Sequence, residues 1–197
     1  MDHLLAAAGL LFVAAITPGP NNLVVLRAAG HAGLRGALPA IVGIVCGGLL
    51  LLAVMVLGAG TAFAAYPPLR RWVGAIGALY LIWLGLSLCA AGVAPRQSVA
   101  SAALPAGTSG LIGFQFLNPK SWVLVLTVLT AMPFAGLRDY LPLAGLFVLI
   151  PAACLLLWAV LGAWLARWLV RPAIRRGVDI AMGMLLVACA LLLLIEP

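Results

Sequence analysis

The chain has 197 residues, 66% of them hydrophobic and only 8% charged, with a mean hydropathy of +1.26. Soluble domains are about half apolar and about a quarter charged, so these figures exclude a water-soluble fold and make lipid the solvent. The net charge of +7 does not indicate nucleic-acid binding, because its arginines (Arg70, Arg71, Arg167, Arg171, Arg175, Arg176) flank apolar runs as membrane anchors do.

A spanning helix needs about 20 mostly apolar residues. The charge-free intervals predict six, at roughly 4–27, 37–62, 69–91, 108–131, 141–166 and 175–195. Met1-Asp2-His3 puts no Lys or Arg ahead of the first run, which therefore reads as a bilayer helix and not as a cleaved signal peptide. The second span carries Gly43 and Gly47 in a GxxxG pattern, and the third carries Gly74, Gly77 and Gly85. Such residues let helices approach closely, either within one chain or across a homodimer. Asp179, near the start of the sixth span, is expected to pair with Arg175 or Arg176. Cys46, Cys89, Cys154 and Cys189 have no CxxC spacing and read as buried small hydrophobes.

The chain also repeats itself. GLRGALP from Gly33 is echoed by GLRDYLP from Gly136, Arg70-Arg71 by Arg175-Arg176, and Thr17-Pro18 by Asn118-Pro119, in the same order and at offsets of 103, 105 and 101. The ordered set reads as a duplication within a single membrane transport domain, 1–197, with one repeat at about 1–95 and the second at about 105–197. Each copy holds three predicted spans, so the second starts on the opposite face of the membrane. The fold class expected is an all-α integral membrane protein of six transmembrane helices in two inverted three-helix repeats, a construction many secondary transporters use.

Pro18 and Pro119 fall near the middle of the first and fourth spans, at 1.5 Å per residue in a ~30 Å core. An interior proline deletes a helical hydrogen bond, and lipid offers no substitute. Thr and Asn are N-cap residues and proline suits the first helical position. Thr17-Pro18 and Asn118-Pro119 are therefore expected to open second half-helices, breaking helices 1 and 4 in mid-membrane. Their amide ends would converge on one electropositive point. Gly19 and Pro20 lie beside that point, Asn21, Asn22 and Gln115 supply amides, and Lys120 places a cation where one costs about 2.5–3.5 kcal/mol unless it faces a cavity. The candidate substrate site is thus Thr17, Pro18, Gly19, Pro20, Asn21, Asn22, Gln115, Asn118, Pro119 and Lys120, suited to a small anionic or zwitterionic ligand. No HExxH, GxSxG, metal-ligand set or cofactor fingerprint is present. A membrane-embedded enzyme and a non-transporting assembly subunit are the competing readings; the second leaves Lys120 and the paired prolines without a reason.

TPGPNN, the following GLR…G and FQFLNPK, in this order, resemble the LysE/RhtB family of amino-acid exporters, over nearly the whole length. TPGPNN with FQF-N is similar in particular to the cysteine and O-acetylserine exporter branch. The resemblance implies export of amino acids or close derivatives across the bacterial cytoplasmic membrane, driven by the proton gradient or membrane potential. For a proton-coupled path the chain offers few titrating groups, since Asp179, His3 and His31 lie near predicted helix ends. Arginine is richer in loops one, three and five, where Arg27 is counted, than in loops two and four, which puts both termini outside.

Overall fold

The computed structural model describes residues 2–93, 107–130, 140–169 and 171–195. Among them all regular structure is helical: α1 (Asp2–Ile16), α2 (Pro20–Val54), a π-helical turn (Met55–Ala59), α3 (Gly60–Ala65), α4 (Pro67–Val93), α5 (Gly107–Leu117), α6 (Pro119–Thr130), α7 (Tyr140–Leu169) and α8 (Pro172–Ile195). Gly136, Arg138 and most of the second GLR segment lie outside the described residues.

Helical order runs on from Pro20 through Gly58 for 39 residues. A straight helix of that length would be about 58 Å long, nearly twice the hydrocarbon core. Gly33 resolves the conflict. Its φ of 70° and ψ of −175° break the helical path in the middle, a conformation glycine adopts without a Cβ clash. Residues predicted in two spans, 4–27 and 37–62, thus share one helical run that bends at Gly33 and leaves helical geometry at Gly58 (φ 132°). Tyr140–Ala166 is also long and apolar enough to cross a bilayer, and Gly107–Leu117 with Pro119–Leu129 passes as one broken span bent by 66°.

Large apolar side chains face outward as well as inward. Leu5, Leu57 and Leu141 are 70–79% exposed, a surface only lipid matches. Cys46 is on that outer face, contrary to the expectation of burial, whereas Cys154 is buried. Inward, α2 lies along α7, α4 pairs with α8, α5 packs on α2, and α1 packs on α7. These contacts leave two apolar cores. One gathers Leu23–Leu26, Ile44, Leu81, Phe114 and Leu186; the other gathers Leu11, Leu51, Val125, Leu143 and Phe147.

The glycines act inside the chain. A Cβ on Gly43 would come within 2.6 Å of the Thr108 carbonyl, and one on Gly47 within 2.6 Å of Gln115 Cγ, so the GxxxG pattern seats α2 directly on α5. Gly77 lets α4 press against the Leu117 carbonyl and the Pro119 ring (2.7 and 3.0 Å), and Gly85 faces Gly183 between α4 and α8. Gly74 faces open space.

Asp179 is 5% exposed and meets Arg27, Nη1 to Oδ1 at 3.7 Å. This partner comes from the opposite half of the chain; the side chain of Arg175, one of the two expected partners, lies outside the described residues. Arg27 is a half-buried residue of α2 before the Gly33 bend, which corrects its reading as a loop residue.

Candidate functional site

Both proline segments interrupt helices, with different local chemistry. At the first, the Thr17 amide and hydroxyl both donate to the Val13 carbonyl, so Thr17 ends α1 and does not cap the next helix. The new helix starts two residues later than expected. Gly19 is the N-cap with an extended backbone, Pro20 takes the first helical position, and no side chain caps the amides. The reason lies in Pro18, which disfavours helical geometry in the residue before it and cannot donate, while Pro20 offers a second proline suited to a helix start. At the second break only Asn118 leaves the helix. Its Oδ1 accepts from the Lys120 amide at 3.1 Å, a cap on α6, with Pro119 at the first helical position.

The freed carbonyls find side-chain donors. Asn22 Nδ2 donates to Ala15 O (2.9 Å) and Thr17 O (2.8 Å), Trp158 Nε1 to Ile16 O (3.3 Å), and Lys120 Nζ to Thr17 O (3.0 Å). At the end of α5, Trp122 Nε1 donates to Phe116 O at 2.8 Å.

An amide cluster joins the two breaks. Asn21 Nδ2 donates to Gln115 Oε1 (3.1 Å) and Gln115 Nε2 donates back to Asn21 Oδ1 (3.0 Å). Asn118 Nδ2 adds a bond to Asn21 Oδ1 (3.1 Å), and Ser121 Oγ one to Gln115 Oε1 (2.8 Å). Buried amides joined this way are costly to separate, so α2, α5 and α6 are held in register from three sides.

Beside this cluster opens a cavity of about 640 Å³, counting the space at its mouth. Gly19, Pro20, Asn21, Asn22, Gln115, Asn118 and Lys120 line it; Thr17, Pro18 and Pro119 of the expected set are not among its lining residues, although the Thr17 carbonyl holds Lys120. The sequence reading missed Ser121 and an apolar wall that includes Ile44, Phe147, Pro151 and Leu155. Ser121, one residue past NPK, was within reach of the motif, whereas the wall carries no polar signal.

The electrostatics are directional. The first-turn amides of α2 have no acceptor within the helix and no side-chain cap, and they favour an anion. Lys120 Nζ lies close by: a Cβ on Gly19 would sit 3.0 Å from it. Opposite charge is favoured at the end of α1, where Thr17 presents its carbonyl. A helix start that favours a carboxylate and a carbonyl that favours an ammonium thus lie side by side at the first break, with Lys120 Nζ on the carbonyl.

Residues 12–197 match the family model for LysE type translocators. The chain belongs to that family. It is similar to the cysteine/O-acetylserine efflux proteins of Salmonella choleraesuis strain SC-B67 (29% identical, 90% of each chain), Klebsiella pneumoniae (27%, 93% of each) and Escherichia coli K12 (28%, 90% of each). No solved structure matches the chain. A LysE translocator with these apolar helices is a transporter of the inner membrane, not an enzyme.

Proposed function

We propose that this translocator exports small zwitterionic amino acids, of the cysteine and O-acetylserine kind named for its relatives, by alternating access about the cavity between the two breaks. The observation that carries the reading is that Lys120, the uncapped α2 amides and a freed carbonyl meet beside one cavity, Lys120 Nζ resting on that carbonyl at 3.0 Å. The substrate carboxylate goes to Lys120 and the α2 amides, its ammonium to the carbonyls, and its side chain to the Ile44–Phe147–Leu155 wall. The amide cluster of Asn21, Gln115 and Asn118 holds the two breaks together.

Six spans in two inverted halves, about 1–95 and about 105–197, give this site its means of opening to either face. In support, both members of several pairs separated by the repeat offsets line the cavity: Gly19 and Lys120, Pro20 and Ser121, Ile44 and Phe147, Gly48 and Pro151. The packing of α1 on α7 and of α5 on α2 fits the same exchange of halves. With Arg27 removed from the loop count the arginine bias keeps its sign, and both termini lie outside.

The test is export from cells loaded with cysteine-containing dipeptides, carrying wild type, Lys120→Ala or empty vector at matched membrane abundance. Wild type is expected to speed the appearance of cysteine in the medium, with Lys120→Ala at the level of vector. Equal efflux in all three would end the amino-acid reading, and full efflux by Lys120→Ala would remove that residue from the site.

A further inference from the structure

Resting on that export reading, the Lys120–Thr17 contact says more about what the site accepts. The acceptor is the carbonyl at the end of α1, where the helix dipole favours a cation, and it is the kind of group an α-ammonium requires. A second carbonyl is released nearby. Pro151, inside α7, has no N–H for the carbonyl four residues back, so Phe147 O has no helical donor, and both residues line the cavity. Among the described lining residues Lys120 carries the only charge, and no carboxylate is present. A lysine ammonium is a compact charge on a flexible stem and changes partners by rotation about single bonds.

We propose that Lys120 is a resident competitor for the ammonium subsite. The substrate ammonium displaces it from the Thr17 carbonyl, and Lys120 Nζ swings across Gly19 onto the substrate carboxylate. The exchange needs both groups on one ligand: an ammonium to replace the lysine and a carboxylate to receive it. A zwitterion meets both conditions. A ligand of net positive charge frees the lysine with nowhere to send it, and adds a like charge beside it in a cavity without an acid among its described lining residues. The site therefore selects net-neutral amino acids and rejects simple amines and dibasic amino acids.

The experiment compares L-cysteine with cysteamine, which lacks only the carboxylate, binding to purified protein in lipid nanodiscs under reducing conditions at pH 7. Wild type is expected to bind cysteine and to bind cysteamine at least about tenfold more weakly; in Lys120→Met cysteine weakens by about tenfold while cysteamine gains about as much. That gain is a result no loss of structure produces. Lys120→Arg keeps the cation and is expected to go on rejecting cysteamine, which covers the case in which the Met variant does not fold. Cysteine binding to wild type with continued rejection of cysteamine by folded Lys120→Met overturns this inference and leaves export standing, as does acceptance of cysteamine by Lys120→Arg. Wild type that binds neither compound overturns both.

Discussion

The two breaks, at Thr17–Gly19 and Asn118, lie about a hundred residues apart and differ in construction. The first leaves three residues, 17–19, out of helix and its new N-terminus without a side-chain cap. The second leaves out only Asn118, which caps the new helix itself. The residues that line the cavity differ in the same sense: Gly19 and Pro20 come from the first break, Lys120 and Ser121 from the second. One half contributes bare backbone, the other charge and hydroxyl. A zwitterion has two unlike ends, and in the export reading proposed above the difference between the breaks is what orients it.

The strongest way to break this comparison is to exchange the two roles. Gly19→Lys combined with Lys120→Gly moves the cation to the first break, and cysteine export is expected to fall to the vector level although the repeat would tolerate either placement. Export by the swapped protein near the wild-type rate would show the breaks to be chemically equivalent. Stability offers the next largest contrast. Asn22→Leu leaves the Ala15 carbonyl without this donor and removes one of two at Thr17, costing about 2–4 kcal/mol at about 1–3 kcal/mol for each buried group left unmade. Asn118→Ser keeps a cap oxygen on α6 and loses the Nδ2 bond to Asn21 Oδ1, which still accepts from Gln115, and is expected to cost about 1 kcal/mol. Unfolding of the two variants in detergent ranks them directly, and an equal loss would contradict the assignment of Asn22 as the donor the first break depends on. Gly19→Ala should have the smallest effect. Its backbone is extended, so alanine is not strained there, but the new methyl would stand 3.0 Å from Lys120 Nζ. Half-saturation for export is expected to shift by about threefold, with no change in unfolding, since flexible lysine ends yield at little cost. A change beyond about tenfold would mean that Lys120 has less freedom than the proposed swing requires.

Membrane character and the places of both breaks were legible in the sequence, because apolar runs and interior prolines act locally. What could not be read was which of two prolines starts the helix. Pro18 and Pro20 have equal local claims, and the choice falls to Pro20 because the hydroxyl and amide of Thr17 both turn back to Val13. Asn22 lines the cavity and also donates to the end of α1, a second use that nothing in sequence announces. Arg27 read as a loop flank because the helix that carries it runs on to a bend at Gly33 that the charge pattern does not mark. Its partner Asp179 lies in the last helix, and such a contact leaves no local trace.

That ion pair also bears on how the protein is made. Arg27 leaves the ribosome roughly 150 residues ahead of Asp179, which at about 5–20 residues per second is a wait of roughly 8–30 s. Through that interval the first span must be tolerated by the bilayer with an arginine that has not met its counter-ion, at a cost of about 2.5–3.5 kcal/mol if it sits at depth. Helix α8 thus completes a contact begun in α2, and a chain cut short before α8 would lack this counter-ion for Arg27.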